Sequence, residues 1–236
     1  MAKVSIIIPF YNCAYVDQAI KSALNQTYKN IEIIVVDDGS SQYTNKLKPY
    51  LRKINYIKKA NGGTASALNA GIRQATGQYF AWLSSDDLYT PRKIEKQLKY
   101  MMRNNIDVSY TPVININSAS KPFSRPIGNN YPNKVSFYQA LQSGCPINGC
   151  TVMMKMSVFS NVGLFDEKLL YTQDYDLWLR VIQKYQFHYL NEPLVYYRIH
   201  EQMGTKKYDH AIKEEVQFVQ QKHMKAINQL IQKTGN

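Results

Sequence analysis

The sequence predicts an α/β fold with a Rossmann-like, mostly parallel central sheet flanked by helices. Three observations predict it. Apolar runs alternate with segments of helical period, the order expected of βαβ units. The runs are continuously apolar (SIII, IEIIVV, YFAWL) rather than alternating, as in strands covered on both faces. Three of them end in polar clusters: Tyr11–Asn12, Asp37–Asp38 and Asp86–Asp87. Ligands of such sheets bind outside the carboxyl ends of the strands, so the three clusters mark one edge.

Val4–Ile8 is the first strand, with Pro9 as its end. Val16, Ala19, Ile20, Ala23 and Leu24 then recur at helical spacing. Ile31–Val36 is the second strand, and Asp37 to Ser40 make a turn. A polar helix, a short strand near residues 54–57 and the turn Asn61–Gly63 follow. Ala67, Leu68, Gly71, Ile72 and Ala75 mark a second amphipathic helix, and GQYFAWL another strand that stops at SSDD. Pro91 sits in the first turn of a helix carrying Ile94, Leu98 and Met101 on one face.

Residues 1–110 form a ligand-binding half on this reading. Residues 111–204, rich in Pro, Asn and Ser with short strands such as Val113–Ile116, form a second half. Residues 205–236 form a C-terminal amphipathic helix with a stripe of Tyr208, Ile212, Val216, Val219, Ile227 and Leu230. Three uses suit such a stripe: packing on its own domain, pairing with a second copy as a homodimer, or contact with an anionic membrane surface.

Composition narrows the class. The chain has 236 residues, 44% hydrophobic and 19% charged, which is ordinary for a soluble globular protein. Three cysteines without a CxxC pair argue against a disulfide framework or zinc knuckle. The apolar run before Pro9 is too short for a signal-peptide core, and no run approaches the ~20 residues of a membrane span. The chain reads as cytoplasmic. Its net charge of +12 favours anionic partners in general. The cations are scattered, with no basic stripe interleaved with aromatics, so nucleic acid is not the partner expected.

No G-x-G-x-x-G follows the first strand, and no P-loop occurs. Carboxylates stand at the strand ends instead. Carboxylates repel phosphate, so a nucleotide site built on them needs a divalent cation, Mn²⁺ or Mg²⁺, as the bridge. Such an ion also relieves the repulsion between Asp86 and Asp87. The alternative is a solvated loop in which one of them caps the helix near Pro91. At Asp37–Asp38 the choice lies between a plain turn and a carboxylate that accepts from a base N–H. Asp174 falls in the first turn of a helix whose apolar face is Tyr175, Leu177, Trp178, Val181 and Ile182. There it is either a cap or a general base held on a rigid element. His200, in YRIHEQMGT, ends an apolar run before a Gly-containing loop.

VSIIIPFYN, SALNQTY, IIVVDDGS, NGG…LNAGI, GQYFAWLSSDD, GLFDE, QDYDLWLR and YRIH, in this order, resemble the family 2 glycosyltransferases of the GT-A fold. The resemblance spans residues 3 to 203. It implies inverting, metal-dependent transfer from a nucleotide-diphosphate sugar, such as a UDP-sugar, to a hydroxyl of a glycan or lipid-linked acceptor. It also implies a role in bacterial cell-surface polysaccharide synthesis, with the inner face of the cell membrane as a place of work.

By the same resemblance Pro9 and Tyr11 would flank the nucleobase and Asp38 would accept from it. Asp86 would contact the ribose or metal region, and Asp87 would bind the metal under the diphosphate. His200 would help hold the metal or diphosphate, and Asp174 would be the catalytic base. The chain departs from the family pattern twice: Ser84 stands where an Asp is frequent, and Gln173 where a Glu often precedes the base. The rival reading is a catalytically idle nucleotide-sugar-binding partner subunit.

Overall fold

The computed structural model describes residues 1–204 and 208–235. Thr205, where the C-terminal segment was set to begin, lies outside them. The strands are β1 Val4–Phe10, β2 Ile31–Asp37, β3 Asn55–Lys58, β4 Tyr79–Trp82, β5 Leu88–Tyr89, β6 Val108–Tyr110, β7 Val113–Ile116, β8 Met153–Lys155, β9 Phe187–Tyr189 and β10 Val195–Arg198. The helices are α1 Val16–Leu24, α2 Gly63–Gln74, α3 Lys93–Arg103, α4 Lys134–Ser143, α5 Ser157–Val162, α6 Gln173–Val181 and α7 Asp209–Gly235.

Seven strands form the main sheet in the order β3-β2-β1-β4-β8-β6-β9. β1 runs parallel to β2 and β4, with Ile6 opposite Ile33 and Ile7 opposite Trp82. β8 is antiparallel to both β4 and β6, and β9 is parallel to β6. All strands but β8 therefore end on one edge. A smaller sheet, β5-β10-β7, draws β5 from the first half and β10 and β7 from the second.

The sequence places β1 inside the sheet, between β2 and β4, because its apolar run suits burial on both faces. Ile6, Ile7 and Ile8 are fully buried. α2 presses closely on this strand at Gly71, where a Cβ would lie 2.5 Å from Ile7 Cγ2. Pro9 does not end β1, as expected, but lies inside it. The reason is its side of the ladder. Pairing with β4 stops after Ile7, whose carbonyl accepts from Leu83 N–H, so the N–H that Pro9 lacks has no strand to meet.

The polar segment after β2 is a 3-10 helix, Thr44–Tyr50, rather than an α-helix. Pro49 inside it cannot donate an N–H, and few apolar side chains are available to bury a longer helix.

The stripe of α7 packs on its own domain. Val219, His223 and Ile227, spaced by four, are buried, while Val216 and Leu230 are part-buried against the core. Gln220 donates to the Gln142 carbonyl at 2.8 Å, which ties α7 to α4. No described helix is long and apolar enough to cross a membrane.

Candidate active site

The carboxyl edge gathers most of the expected residues. Tyr11 follows β1 and is 55% exposed, its ring open to solvent. Pro9, two residues earlier within β1, is part-buried. Asp38 follows β2 and is buried, surrounded by donors from its own chain. Lys59 Nζ donates to Oδ1 at 2.6 Å, Gly62 N–H to the same oxygen at 3.0 Å, and Gly63 N–H to Oδ2 at 2.8 Å. Asn61 Nδ2 adds a fourth contact at 3.2 Å. Asp38 thus caps the start of α2 from another element, satisfying N–H groups that the helix leaves open. Gly39 permits the approach: its φ is +80°, and a Cβ there would lie 2.8 Å from Asn61 N.

The turn after β4 splits its two carboxylates. Asp86 faces outward, with 28% of its side chain exposed, and its Oδ2 lies 3.1 Å from His200 Nε2. Tyr15 sets its ring edge against the imidazole at 5.2 Å. Asp87 faces inward and is fully buried. Its Oδ1 accepts from the Arg198 backbone N–H at 2.8 Å, and its Oδ2 has no hydrogen-bond partner among the described residues. Burial and then the neighbouring Asp86 charge push the Asp87 carboxyl well above the usual range. Ser84 sets its Oγ 2.9 Å from Cys150 Sγ.

A cation does stand at this turn, and sequence reasoning missed it. Arg198, at the end of β10, is fully buried. Its Nε donates to the Asp86 carbonyl at 2.7 Å, and Nη2 donates to Gln18 Oε1 at 2.9 Å. Nη1 donates to Ser120 Oγ at 2.9 Å and to the Asn117 carbonyl at 3.1 Å. The guanidinium also lies 4.2 Å from the Tyr15 ring centre. One side chain thus fastens α1, the turn after β7 and the Asp86 turn together. The visible signal was the pairing of Arg and His two residues apart in YRIH, with the histidine drawing the attention.

Asp174 stands apart from this group, in the first turn of α6. Its Oδ1 accepts from Tyr175 N–H at 2.8 Å. Burial raises its carboxyl to about 6, and Glu215 adds a smaller push in the same direction. Glu215 is a second residue missed by the sequence reading. From α7 it accepts from Leu170 N–H at 2.8 Å, Tyr171 N–H at 2.8 Å and Thr172 N–H at 2.6 Å. It caps the segment that leads into the Asp174 turn. Two residues along α6, buried Asp176 meets His223 Nε2 at 2.8 Å, Lys222 Nζ at 2.8 Å and Arg180 Nε at 2.9 Å. Burial works against this carboxylate's charge. The bonds from His223 and Lys222 and the Arg180 charge overcome it and hold the group well below its usual range. These contacts make α7 a brace for the helix that carries Asp174.

The comparisons with known proteins bear on the family and the fold. The family model described as glycosyl transferase family 2 matches residues 5–163. The chain is 45% identical over 210 residues to an uncharacterized glycosyltransferase of Rickettsia typhi, covering 86% of this chain and 65% of that protein. It therefore spans just under two thirds of that relative's length. It is 33% identical over 187 residues to WfgD of Escherichia coli, a UDP-Glc:alpha-D-GlcNAc-diphosphoundecaprenol beta-1,3-glucosyltransferase, covering 76% of this chain and 70% of that one. Among solved structures, S. aureus TarS 1-349 in complex with UDP-GlcNAc matches with a TM-score of 0.74 at 18% identity, covering 92% of this chain and 65% of that one. That likeness establishes the GT-A glycosyltransferase architecture. Taken with the family match, it makes this chain a member of glycosyl transferase family 2.

Proposed function

We propose that the protein transfers a sugar from a nucleotide-diphosphate sugar, of the UDP class, to a hydroxyl of a glycan or lipid-linked acceptor, with inversion. The named donors of the relatives support the UDP class: UDP-Glc for WfgD and UDP-GlcNAc in the TarS complex. Asp174 carries the reading. A carboxyl raised to about 6 stays ionised at neutral pH yet is more basic than a solvated one, as a general base requires. It takes the proton from the acceptor hydroxyl as that oxygen attacks the anomeric carbon from the face opposite the diphosphate.

Tyr11 offers an exposed ring for the nucleobase, with Pro9 two residues earlier within β1. Asp38 shapes the wall of that site through residues 59–63, since four donors already occupy it. A divalent cation, Mn²⁺ or Mg²⁺, fits the outward pair Asp86 and His200, one carboxylate oxygen and one imidazole nitrogen side by side. No group of three or more His, Cys, Asp or Glu among the described residues forms a cage for an ion. Asp86 and His200 would hold the cation, and when bound it would supply neutralisation of charge on the leaving diphosphate. The role first given to Asp87 passes to Asp86, because Asp87 points inward and its carboxyl is raised.

The reading is tested by calorimetry with UDP-Glc and UDP-GlcNAc in Mn²⁺, followed by measurement of UDP release. Binding of at least one donor with slow UDP release is expected. Binding without release by a protein supplied with acceptor saccharides would make it the idle partner instead.

A further inference from the structure

After β7 the chain turns at Asn117–Ser120 and returns along β7 as residues 121–127. The return is anchored along its length. Asn117 N–H donates to the Lys121 carbonyl at 3.0 Å, and Phe123 N–H to the Asn115 carbonyl at 3.0 Å. Val113 and Ile127 exchange both backbone bonds, at 2.9 and 2.8 Å. This is a fixed arm at the edge of the small sheet, yet its large apolar side chains face water: Phe123 is 59% exposed and Ile127 51%. Lys121 and Arg125 alternate with them, both exposed, and neither has an ion pair among the described residues.

Two features say what kind of partner this edge fits. Phe123 and Ile127 spend their N–H groups on β7, so by alternation Pro122 and Pro126 occupy outward positions, where they offer none. An edge interrupted in that way resists pairing with another strand. The stretch of chain that carries the arm also lacks acid: no Asp or Glu occurs between Asp107 and Asp166, whereas Lys121, Arg125 and Lys134 do. Apolar tips beside unpaired cations in an acid-free stretch suit the anionic face of a lipid bilayer, where rings and aliphatic groups enter the headgroup layer and cations meet phosphates.

The arm is rooted at the candidate active site. Ser120 Oγ and the Asn117 and Ser118 carbonyls accept from Arg198 Nη1, and Arg198 Nε holds the Asp86 turn. We propose that residues 121–127 form a membrane-contact arm, in which Phe123, Ile127, Lys121 and Arg125 seat the Asp86–His200 edge reversibly against anionic lipid. An acceptor carried on a lipid would then arrive at the level of the site. That last step rests on the transferase reading above, and the contact itself does not.

Co-sedimentation of the full chain with phosphatidylcholine vesicles, with and without phosphatidylglycerol, tests the arm at low salt. The wild type sediments with the anionic vesicles. The F123S/I127S variant binds them about tenfold or more weakly, and K121Q/R125Q about 20-fold more weakly, with loss of the preference for phosphatidylglycerol. All four side chains are exposed, so melting curves and UDP release in solution stay unchanged in both variants. Wild type that ignores anionic vesicles overturns the proposal, as do two variants that bind like wild type. Self-association lost in F123S/I127S without any vesicle binding overturns it too, by making the arm a protein contact. Vesicle binding by a chain that never releases UDP leaves the arm standing and removes the transferase reading.

Discussion

Arg198 holds Asp86 by its backbone rather than by its charge: Nε donates to the Asp86 carbonyl at 2.7 Å, which leaves the Asp86 carboxylate free to face His200. A lysine keeps the charge but not the planar fork that reaches Gln18, Ser120 and Asn117 together. Arg198→Lys is therefore expected to lower the unfolding free energy by about 2–4 kcal/mol in denaturant titration. Donor affinity should weaken by about tenfold or more as the Asp86 turn loosens. Gln18→Ala removes one of these bonds and should cost about 1 kcal/mol, which grades the effect.

The two adjacent carboxylates should separate cleanly on substitution. Asp86→Asn removes the outward carboxylate, so Mn²⁺-dependent donor affinity is expected to fall at least about tenfold in calorimetry. Asp87→Asn keeps an acceptor for the Arg198 N–H and relieves a buried carboxyl that is already raised. Its donor affinity should stay within about threefold of wild type. The reverse ranking would return the metal role to Asp87.

Glu215 links the C-terminal helix to the segment that leads into the Asp174 turn. Glu215→Ala leaves the N–H groups of Leu170, Tyr171 and Thr172 without their acceptor. A loss of about 2–3 kcal/mol in stability is expected, with kcat falling further than donor affinity. Glu215→Gln keeps an acceptor but drops the charge that helps raise Asp174. The acid limb of its kcat profile should shift to lower pH, a change that a merely structural role would not produce.

Lys93, at the start of α3, is a buried amine with Nζ 4.3 Å from the Tyr89 ring centre and without a hydrogen-bond partner among the described residues. Burial lowers its pKa to about 7. A lysine lowered on folding costs stability in full below the folded pKa, and the cost fades as pH rises toward the unfolded value of ~10.4. Lys93→Met should therefore be more stable than wild type by about 1–3 kcal/mol at pH 6, with the difference shrinking by pH 10.

Sequence and structure agree best where a local signal decides the outcome. The apolar runs of β1, β2 and β4 announced buried parallel strands, and the polar clusters behind them gather at one edge of the sheet. The place of Asp174 in the first turn of α6 was legible because a helix start is written in adjacent residues. What escaped depends on partners far along the chain. Arg198 reaches Asp86 over 112 residues, and Glu215 reaches Thr172 over 43. No local pattern marks Glu215, and in YRIH the histidine drew attention away from Arg198. The inward turn of Asp87 was hidden for another reason: two neighbouring carboxylates look alike until β10 supplies the N–H that one of them accepts.

The central claim is that Asp174 is the base of a sugar transfer, and the pH dependence of kcat in wild type and Asp174→Asn tests it most directly. A base with a pKa of about 6 is protonated below that pH, so wild-type kcat should rise with pH through about 6 and level off above it. Asp174→Asn should bind donor as wild type does, lose about 10²–10⁴-fold in kcat and show no step near pH 6. A variant that transfers sugar at near wild-type rate, or that keeps the step, would contradict the assignment.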